Sequence, residues 1–539
     1  MLLGSLRRLR PFALALAAAA AASTGWTPTP ADPAVLRIGM TSEPNSLSPL
    51  FALSDYEQVV DRLIFDVLVG LDANGKLVPR LAQAVPSLAN GGISKDGRTI
   101  TYHLRRNVRW HDGAPFTSRD VAFSFAAIMN PGNNVANRHG YDQIAKVETP
   151  GPYTVVVRLK RPYAPALTTL FSDGAPNPIL PEHLLGRAAN LNRSPFNDAP
   201  VGTGPYKFLR WDHGASIELI ANDDYYLGKP KLARLSVRIV PDETTLTNQL
   251  RTHELDMYVL ASVNAYGQLR SLPSVRVHLV ATHAAANVLI NTTRPDLQDV
   301  RLRHGIAAAI DKRAIVRKLA FGAGTVASED LPSFMWAYDA RVRAESYDPV
   351  RARALLAAAG WRPGADGIAY KNGRRLGLVF AYALNNETAR LIVLQIQSYL
   401  RAVGIDVQLK GYNSALMFAP YAAGGIYQRG NFDLAWYTMT LGVDPDASGR
   451  FTSGAVPPHG QNYSRYRNAE MDAAQAAGLT SFDRAARKRA YARSQELLAR
   501  DVPVVFVFWP KNIDASDARL HGFAPNPVTP AWNAQDWSF

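Results

Sequence analysis

The segment from residue 377 to residue 440 restricts the fold of this chain more than any other stretch. Its apolar runs and amphipathic stretches predict strands over residues 378–381, 405–409 and 432–436, with helices over 387–402 and 414–418 between them. Strands that alternate with helices in this way form a parallel sheet with right-handed crossovers, so the segment predicts an α/β fold. Ligands of such sheets lie at the carboxyl ends of the strands. We therefore expect a binding site just after Trp436.

The length of the chain predicts more than one structural unit. Its 539 residues exceed the size at which a single hydrophobic core stops growing, so we expect at least two lobes. The formal net charge is +14, but the sequence contains no run of five or more basic residues of the kind that binds nucleic acid. We therefore expect no nucleic-acid partner.

The first residues predict a secretory signal peptide over residues 1–31. Arg7, Arg8 and Arg10 form a basic start, and the apolar stretch after them, residues 12–22, is shorter than the roughly 20 residues needed to span a bilayer. The chain contains no cysteine, so it offers no lipid-attachment residue at the predicted cleavage site and no disulfide. We expect a periplasmic protein that is not lipid-anchored.

A strand, a turn and an amphipathic helix are predicted over residues 100–130. Apolar and polar residues alternate from residue 100 to residue 105, as in a half-buried strand. Asp112 and Gly113 then mark a turn, because glycine tolerates a positive φ. Thr117 with Asp120 has the spacing of a capping box at the start of a helix.

This stretch closely resembles the family 5 extracellular solute-binding proteins, the peptide- and nickel-binding receptors of bacterial ABC importers. In that family a strand ends in R-x-x-x-x-W-H-D-G-x-P-hydrophobic-T-x-x-D-V, and residues 105–121 match it nearly position for position. Residues 41–49 are similar to the family's S-E-P-x-S-L-x-P signature, and residues 200–208 to its V-G-T-G-P-Y motif. The resemblance extends from residue 36 to residue 539.

The resemblance implies a periplasmic binding protein-like fold of type II, similar to cluster C, with two lobes around a hinge and an additional inserted domain. The implied bounds are 33–55, 199–283 and 508–539 for lobe I, 56–198 for the additional domain, and 284–507 for lobe II. The implied hinge residues are Gly202, Thr203, Gly204 and Pro205.

The resemblance also implies a monomeric receptor that captures a small solute by hinge closure and delivers it to an inner-membrane ABC permease. Peptides are the expected ligands, and an oligosaccharide, an opine or a metal chelate is the alternative. A secreted hydrolase is a third hypothesis, but the sequence lacks G-x-S-x-G, Walker A, H-E-x-x-H and C-x-x-C motifs. We therefore expect no enzyme, no catalytic residue, no cofactor and no metal site. His111 and Asp112 are adjacent and point to opposite faces of a strand, which favours a structural role in the turn.

The candidate ligand-binding residues form two walls of a cleft. The resemblance places the first wall after the first strand and the second wall in and after the strand that ends the 377–440 segment. The candidates are Leu53, Ser54, Asp55, Arg429, Trp436, Tyr437, Thr438, Leu441, Asp444 and Asp446. Trp436 and Tyr437 could stack on a ligand, with one of the two facing the cleft because strand residues alternate. Arg429 could pair with a ligand carboxylate or stay solvated.

The second wall departs from the pattern of peptide-binding relatives. Those relatives carry an aspartate three residues before an acidic-proline pair, where it fixes the ammonium group of the ligand. The corresponding positions here are Leu441, counted back from Asp444, and Met439, counted forward from Trp436. Neither is acidic, so a peptide would need another acid. Asp444 or Asp446 could replace it, or both could cap a turn or the helix that begins near residue 447.

Overall fold

The described chain is built around one twelve-stranded mixed sheet. The computed structural model describes residues 35–52, 54–135, 138–174 and 178–539, so the predicted signal peptide lies outside the described residues. The strands are β1 (Val35–Met40), β2 (Val69–Leu71), β3 (Leu77–Pro79), β4 (Thr99–His103), β5 (Ile144–Gly151), β6 (Thr154–Leu159), β7 (Tyr206–Asp212), β8 (Ser216–Ala221), β9 (Arg234–Ile239), β10 (Met257–Tyr258), β11 (Val275–Ala281), β12 (Ala284–Ile290), β13 (Gly324–Val326), β14 (Arg362–Pro363), β15 (Ala369–Lys371), β16 (Arg374–Arg375), β17 (Gly377–Ala383), β18 (Asp406–Tyr412), β19 (Leu434–Thr440) and β20 (Val504–Asp517). The α-helices are α1 (Asp55–Ile64), α2 (Ser118–Met129), α3 (Ala166–Thr169), α4 (Glu182–Leu185), α5 (Glu243–Arg251), α6 (Val263–Leu269), α7 (Val300–Ala309), α8 (Lys312–Lys318), α9 (Pro349–Ala358), α10 (Glu387–Ala402), α11 (Ser414–Met417), α12 (Ile426–Arg429), α13 (Ser448–Phe451), α14 (Ala469–Thr480) and α15 (Arg484–Asp501).

The long strand β20 joins the two sides of this sheet. Ten of its strands lie in the order β18-β17-β19-β12-β20-β10-β1-β9-β8-β7, and the other two, β11 and β13, pair with β20 off this path. The first part of β20 pairs with β12 and β13, and its last part pairs with β10 and β11. Each side has a parallel centre, since β1 runs parallel to β9 and β10 while β17 runs parallel to β18 and β19. The bounds of the two lobes and of the additional domain stay a prediction.

The predicted alternation of strands and helices over residues 377–440 is confirmed. β17, α10, β18, α11 and β19 follow in that order, and their strands pair in parallel. The predicted end of the last strand, at Trp436, is wrong by four residues. β19 continues to Thr440 because β12 pairs with it along its whole length, from Ile290 opposite Leu434 to Ala284 opposite Thr440.

The strand, turn and helix predicted over residues 100–130 are also present, as β4 and α2. Thr117 and Asp120 form the predicted capping box, in which the Thr117 N–H donates to Oδ2 of Asp120 at 2.8 Å. Trp110 is 2% exposed and packs edge-on against Phe116. This stretch therefore contributes core and turn residues.

Two buried acids follow β13. Glu329 and Asp330 are each 2% exposed, and neither carboxyl oxygen of Glu329 has a hydrogen-bond partner among the described residues. Burial, with the nearby charges of Asp330 and Asp339, raises the pKa of Glu329 to about 9. Burial raises the pKa of Asp330 to about 7. Both groups therefore hold their protons in the folded protein under mildly acidic conditions.

Replacing Glu329 by glutamine should change how stability depends on pH. In the unfolded chain the carboxyl ionises near its ordinary pKa of 4.5, whereas the folded protein keeps it protonated up to about 9. The resulting stabilisation is full below the unfolded pKa and is lost as pH rises through the folded pKa. Thermal unfolding from about pH 5 to about pH 9 should therefore show a shallower decline for Glu329→Gln than for the wild type. Glu496→Gln, on the exposed face of α15, is the control; equal slopes for Glu329→Gln and wild type would contradict the prediction.

Candidate ligand-binding site

Two adjoining cavities lie beside the sheet, and the smaller is at the place where its two sides meet. The larger has a volume of about 610 Å³ and the smaller about 290 Å³. His283 and Val443 line both cavities, so the two adjoin at these residues. Small-molecule sites commonly occupy about 300–1,000 Å³, so the pair is large enough for a small ligand. We call the two cavities together the cleft.

Separate parts of the chain place the residues of the cleft. The link between β11 and β12 provides Thr282 and His283. The middle of β20, where this strand passes from one side of the sheet to the other, provides Pro510 and Asn512. The start of α1, the loop after β19, Leu260 and the segments 173–174 and 527–530 also line the smaller cavity. The larger cavity adds the β2–β3 turn, a loop near residue 335 and the start of α15. The cleft thus lies beyond the carboxyl end of β19, four residues past Trp436, and its role as the binding site stays a prediction.

The smaller cavity contains an unpaired acid. Asp55 is open to the cavity, and its carboxylate has no ion-pair or hydrogen-bond partner within the described part of the chain. Burial by the surrounding protein raises the pKa of Asp55. Asp173, which also lines this cavity, is already engaged, because Arg62 pairs with it at 3.2 Å and the Leu71 N–H donates to it at 2.7 Å. Asp55 is therefore the acid available to a ligand here.

The larger cavity has an aromatic wall crossed by two arginines. The guanidinium carbons of Arg484 and Arg487 lie 5.1 and 5.3 Å from the ring centre of Trp336. Phe334 meets the imidazole of His283 edge-on, with the ring centres 5.1 Å apart. Burial lowers the pKa of His283 to about 4, so this imidazole is neutral at physiological pH.

Asp444 lines the larger cavity but is held by a buried ion pair. Nη2 of Arg487 donates to both carboxylate oxygens of Asp444, at 2.6 and 2.7 Å, and the Tyr491 hydroxyl donates to one of them at 3.3 Å. Burial raises the pKa of Asp444, and Arg487 opposes that rise. The role of Asp444 as a ligand anchor stays a prediction, and a ligand ammonium would have to compete with Arg487 for this carboxylate.

Hydrogen bonds also fix the rest of the loop after β19. Arg450 donates to the carbonyl oxygens of Thr440 and Asp446, at 2.8 and 3.0 Å. The Leu441 N–H donates to the His283 carbonyl at 2.8 Å. Oδ1 of Asp446 accepts from the Ser448 N–H at 2.8 Å, which is the turn-capping arrangement considered for this residue. Leu441 lines the smaller cavity with its side chain largely buried.

The aromatic candidates of β19 lie in the hydrophobic core. Trp436 is 6% exposed within a core cluster, and Tyr437 packs against Tyr427 and Tyr463 with ring centres 5.1 and 5.5 Å away. Neither lines the cleft, because both positions lie inside a strand that extends to Thr440. Thr438 is exposed and also does not line the cleft.

The remaining candidates take local structural contacts. Arg429 is exposed; its Nε donates to the Tyr421 carbonyl at 2.8 Å, and its guanidinium lies over the Tyr421 ring. Ser54 caps α1, in a capping box with Glu57. Leu53 lies outside the described residues.

The predicted hinge motif is packed against the W-H-D-G turn. The Gly202 N–H donates to Nδ1 of His111 at 3.1 Å, and Nε2 of His111 donates to the Gly204 carbonyl at 3.0 Å. This pattern requires the neutral imidazole with its proton on Nε2, and burial lowers the pKa of His111 to about 4. The Gly204 N–H donates to the Ile64 carbonyl at 2.8 Å. Whether Gly202, Thr203, Gly204 and Pro205 act in a hinge stays a prediction.

Several cleft residues were not predicted from the sequence. Four of them come from separate segments of the chain, and no sequence motif links these segments: Lys76, His283, Trp336 and Arg484. The aromatic run over residues 334–338 was the one available signal, since clustered aromatic residues often line ligand sites. Within the described ranges, no group of three or more acidic or histidine side chains could hold a metal ion.

Comparison with known proteins decides the family. The model of the bacterial extracellular solute-binding proteins, family 5, matches residues 76–456. The chain belongs to this family. The resemblance stated from residues 105–121 is thereby confirmed, and so is the periplasmic binding protein-like α/β fold. In the parts of this family 5 protein that the structure describes, no helix has the length and apolarity needed to cross a bilayer.

Relatives of this family 5 protein are similar along almost the whole chain. The oligopeptide-binding protein AppA of Bacillus subtilis (strain 168) is 26% identical over 511 residues, covering 93% of this chain and 91% of that protein. Protein XP55 of Streptomyces lividans is 30% identical over 473 residues, covering 87% and 82%. The crystal structure of NikZ from Campylobacter jejuni in complex with Ni(L-His) aligns with a TM-score of 0.75 at 27% identity, covering 94% of this chain and all of that one.

Proposed function

We propose that this protein is the periplasmic, non-lipidated receptor of an ABC importer for short peptides. The observation that carries the proposal is the distribution of charge in the cleft. The smaller cavity holds the unpaired carboxylate of Asp55, and the larger holds the exposed cations of Lys76 and Arg484. A peptide with a free ammonium and a free carboxylate carries the matching charges at its two ends. The similarity of this chain to an oligopeptide-binding relative supports peptides as the ligand class.

The chain crosses between the two sides of the sheet beside the cleft, which suits a receptor that closes on its ligand. The crossings are the β11–β12 link, at Thr282 and His283, and the middle of β20, near Pro510. A ligand that touches both sides favours the closed arrangement by its extra contacts there. The closed protein would then dock on an inner-membrane permease, and no chemistry would be done on the ligand.

A thermal-shift panel with purified mature protein tests the ligand class. Di- to pentapeptides are compared with an oligosaccharide, an opine and a nickel–histidine chelate, the last because of the similarity to NikZ. Binding stabilises the folded state by about 2.7 kcal/mol at a ligand concentration of 100 times the Kd. The proposal expects a raised Tm with peptides. A shift with another solute and none with peptides would overturn it.

Replacing Asp55 by asparagine should weaken binding of peptides that carry a free ammonium by about 10- to 100-fold, because one charge-assisted hydrogen bond is lost. N-acetylated peptides, which lack the ammonium, should bind wild type and variant alike. Isothermal titration calorimetry measures both affinities. Asp72→Asn, at an acid of the neighbouring β2–β3 turn that does not line the cleft, is the control. Unchanged affinity for free peptides in Asp55→Asn would remove this role from Asp55.

A further inference from the structure

The ionisable side chains that line the larger cavity are Lys76, His283, Asp444, Arg484 and Arg487. Asp444 and Arg487 neutralise each other through their buried ion pair. His283 is neutral at physiological pH because burial lowers its pKa. Lys76 and Arg484 are therefore the charges that this cavity offers to a ligand, and both are positive.

Both cations are free to bind. Lys76 lies in the β2–β3 turn and Arg484 at the start of α15, and both are exposed. In the part of the chain that the structure describes, neither side chain has an ion-pair or hydrogen-bond partner. The guanidinium of Arg484 lies 5.1 Å from the ring centre of Trp336. A guanidinium held over an aromatic face keeps its N–H edge available, and that planar fork matches a carboxylate.

We propose that the larger cavity is a carboxylate-binding subsite in which Arg484 and Lys76 hold an anionic group of the ligand. The inference rests on the proposed peptide ligand and adds the orientation: the carboxylate lies in the larger cavity and the ammonium in the smaller. The two cations come from different parts of the chain and line the same cavity, so a ligand held by both would tie these parts together. Arg487 is largely committed elsewhere, because Asp444 neutralises its charge through Nη2 and its Nε donates to the Gly478 carbonyl at 2.8 Å.

The apolar lining beside these cations gives the subsite a second preference. Phe334, Met335 and Phe482 line the same cavity as Trp336. A ligand residue that combines an apolar side chain with the carboxylate meets both requirements. A ligand with a basic side chain at this end would face two like charges, so the subsite selects against lysine and arginine there.

The test compares peptides that differ at one group. The probes are a tripeptide with a free carboxylate, its C-terminal amide, the amide with an internal glutamate, and glutarate as a non-peptide dicarboxylate. Wild type should bind the free tripeptide about 100-fold more tightly than its amide, as expected for two charge-assisted contacts. Arg484→Gln and Lys76→Gln should each reduce that difference to about tenfold. If the glutamate restores the affinity of the amide, the subsite accepts a side-chain carboxylate; if it does not, the subsite reads the peptide terminus.

Arg489→Gln is the matched control, because Arg489 is exposed on the same helix and does not line the cavity. Equal affinities for acid and amide, or an Arg484→Gln variant that behaves like Arg489→Gln, would overturn the subsite while leaving peptide binding intact. Binding of glutarate that Arg484→Gln weakens, without binding of any peptide, would support the subsite and reject the proposed ligand class. Failure of every probe to bind would overturn both.

Discussion

Replacing Asp444 by alanine is expected to lower the free energy of unfolding by about 3–5 kcal/mol, the range for breaking a buried ion pair. Asp444 and Arg487 are 6% and 8% exposed. The variant leaves the largely buried guanidinium of Arg487 without its carboxylate, and an unpaired charge at so low an exposure is costly. Chemical denaturation followed by circular dichroism measures the difference.

Asp446→Ala is the control for this prediction. Asp446 lies two residues further along the same loop, and its carboxylate accepts one hydrogen bond, from the Ser448 N–H. Loss of one such bond costs about 1 kcal/mol. If Asp444→Ala is no more destabilising than Asp446→Ala, the ion pair does not hold the loop.

Peptide-binding measurements on Asp444→Asn distinguish a structural role of Asp444 from a ligand-anchoring role. If Asp444 holds the ammonium of a peptide, Asp444→Asn should weaken binding of free peptides at least about tenfold and leave N-acetylated peptides unaffected. If Asp444 acts through Arg487, both kinds of peptide should lose affinity by the same factor. The ion pair leads us to expect the second result.

Replacing Gly202 by alanine should destabilise the protein by about 3 kcal/mol or more, at the upper end of the range for overpacking. A Cβ atom at Gly202 would lie 1.9 Å from the Ile64 carbonyl oxygen. That oxygen belongs to the backbone at the end of α1, so it cannot move aside as a flexible side chain can. The displacement would also break the hydrogen bonds that join Gly202 to His111.

Gly267→Ala is the matched control for Gly202→Ala. Gly267 lies in α6, and a Cβ there would meet no atom within 4 Å. Alanine in a helix interior is more stable than glycine by about 0.5–1 kcal/mol, so this variant should be unchanged or slightly stabilised. If Gly202→Ala unfolds at the same denaturant concentration as Gly267→Ala, the contact between Gly202 and the end of α1 is not tight.

Local patterns predicted the elements well because the physics that forms them is local. The amphipathic pattern of α10 and the capping box at Thr117 each depend on residues a few positions apart. The helix and the capping box are both present as predicted. The end of β19 depends on its pairing with β12, which is about 150 residues earlier in the chain. No sequence pattern near Trp436 indicates this pairing with β12. The burial of Trp436 inside β19 could therefore not be predicted from the sequence.

The candidate site was harder to predict for the same reason. The expectation of a site just after Trp436 rested on a general property of parallel sheets; the cavities lie beyond Thr440, because the strand is longer than predicted. Asp444 could be interpreted as an anchor or a cap because its partner Arg487 is 43 residues away. Trp336 and Arg484 meet only in the folded chain.

Hydrogen–deuterium exchange of the purified protein, with and without an equimolar pool of di- to pentapeptides, tests the central proposal most directly. It reports whether peptides bind and where the backbone becomes protected. We predict slower exchange in the segments that form the cleft: 74–77, 282–284, 334–336, 440–444 and 510–512. No change in exchange, or protection confined to segments away from the cleft, would contradict a peptide receptor that binds its ligand there.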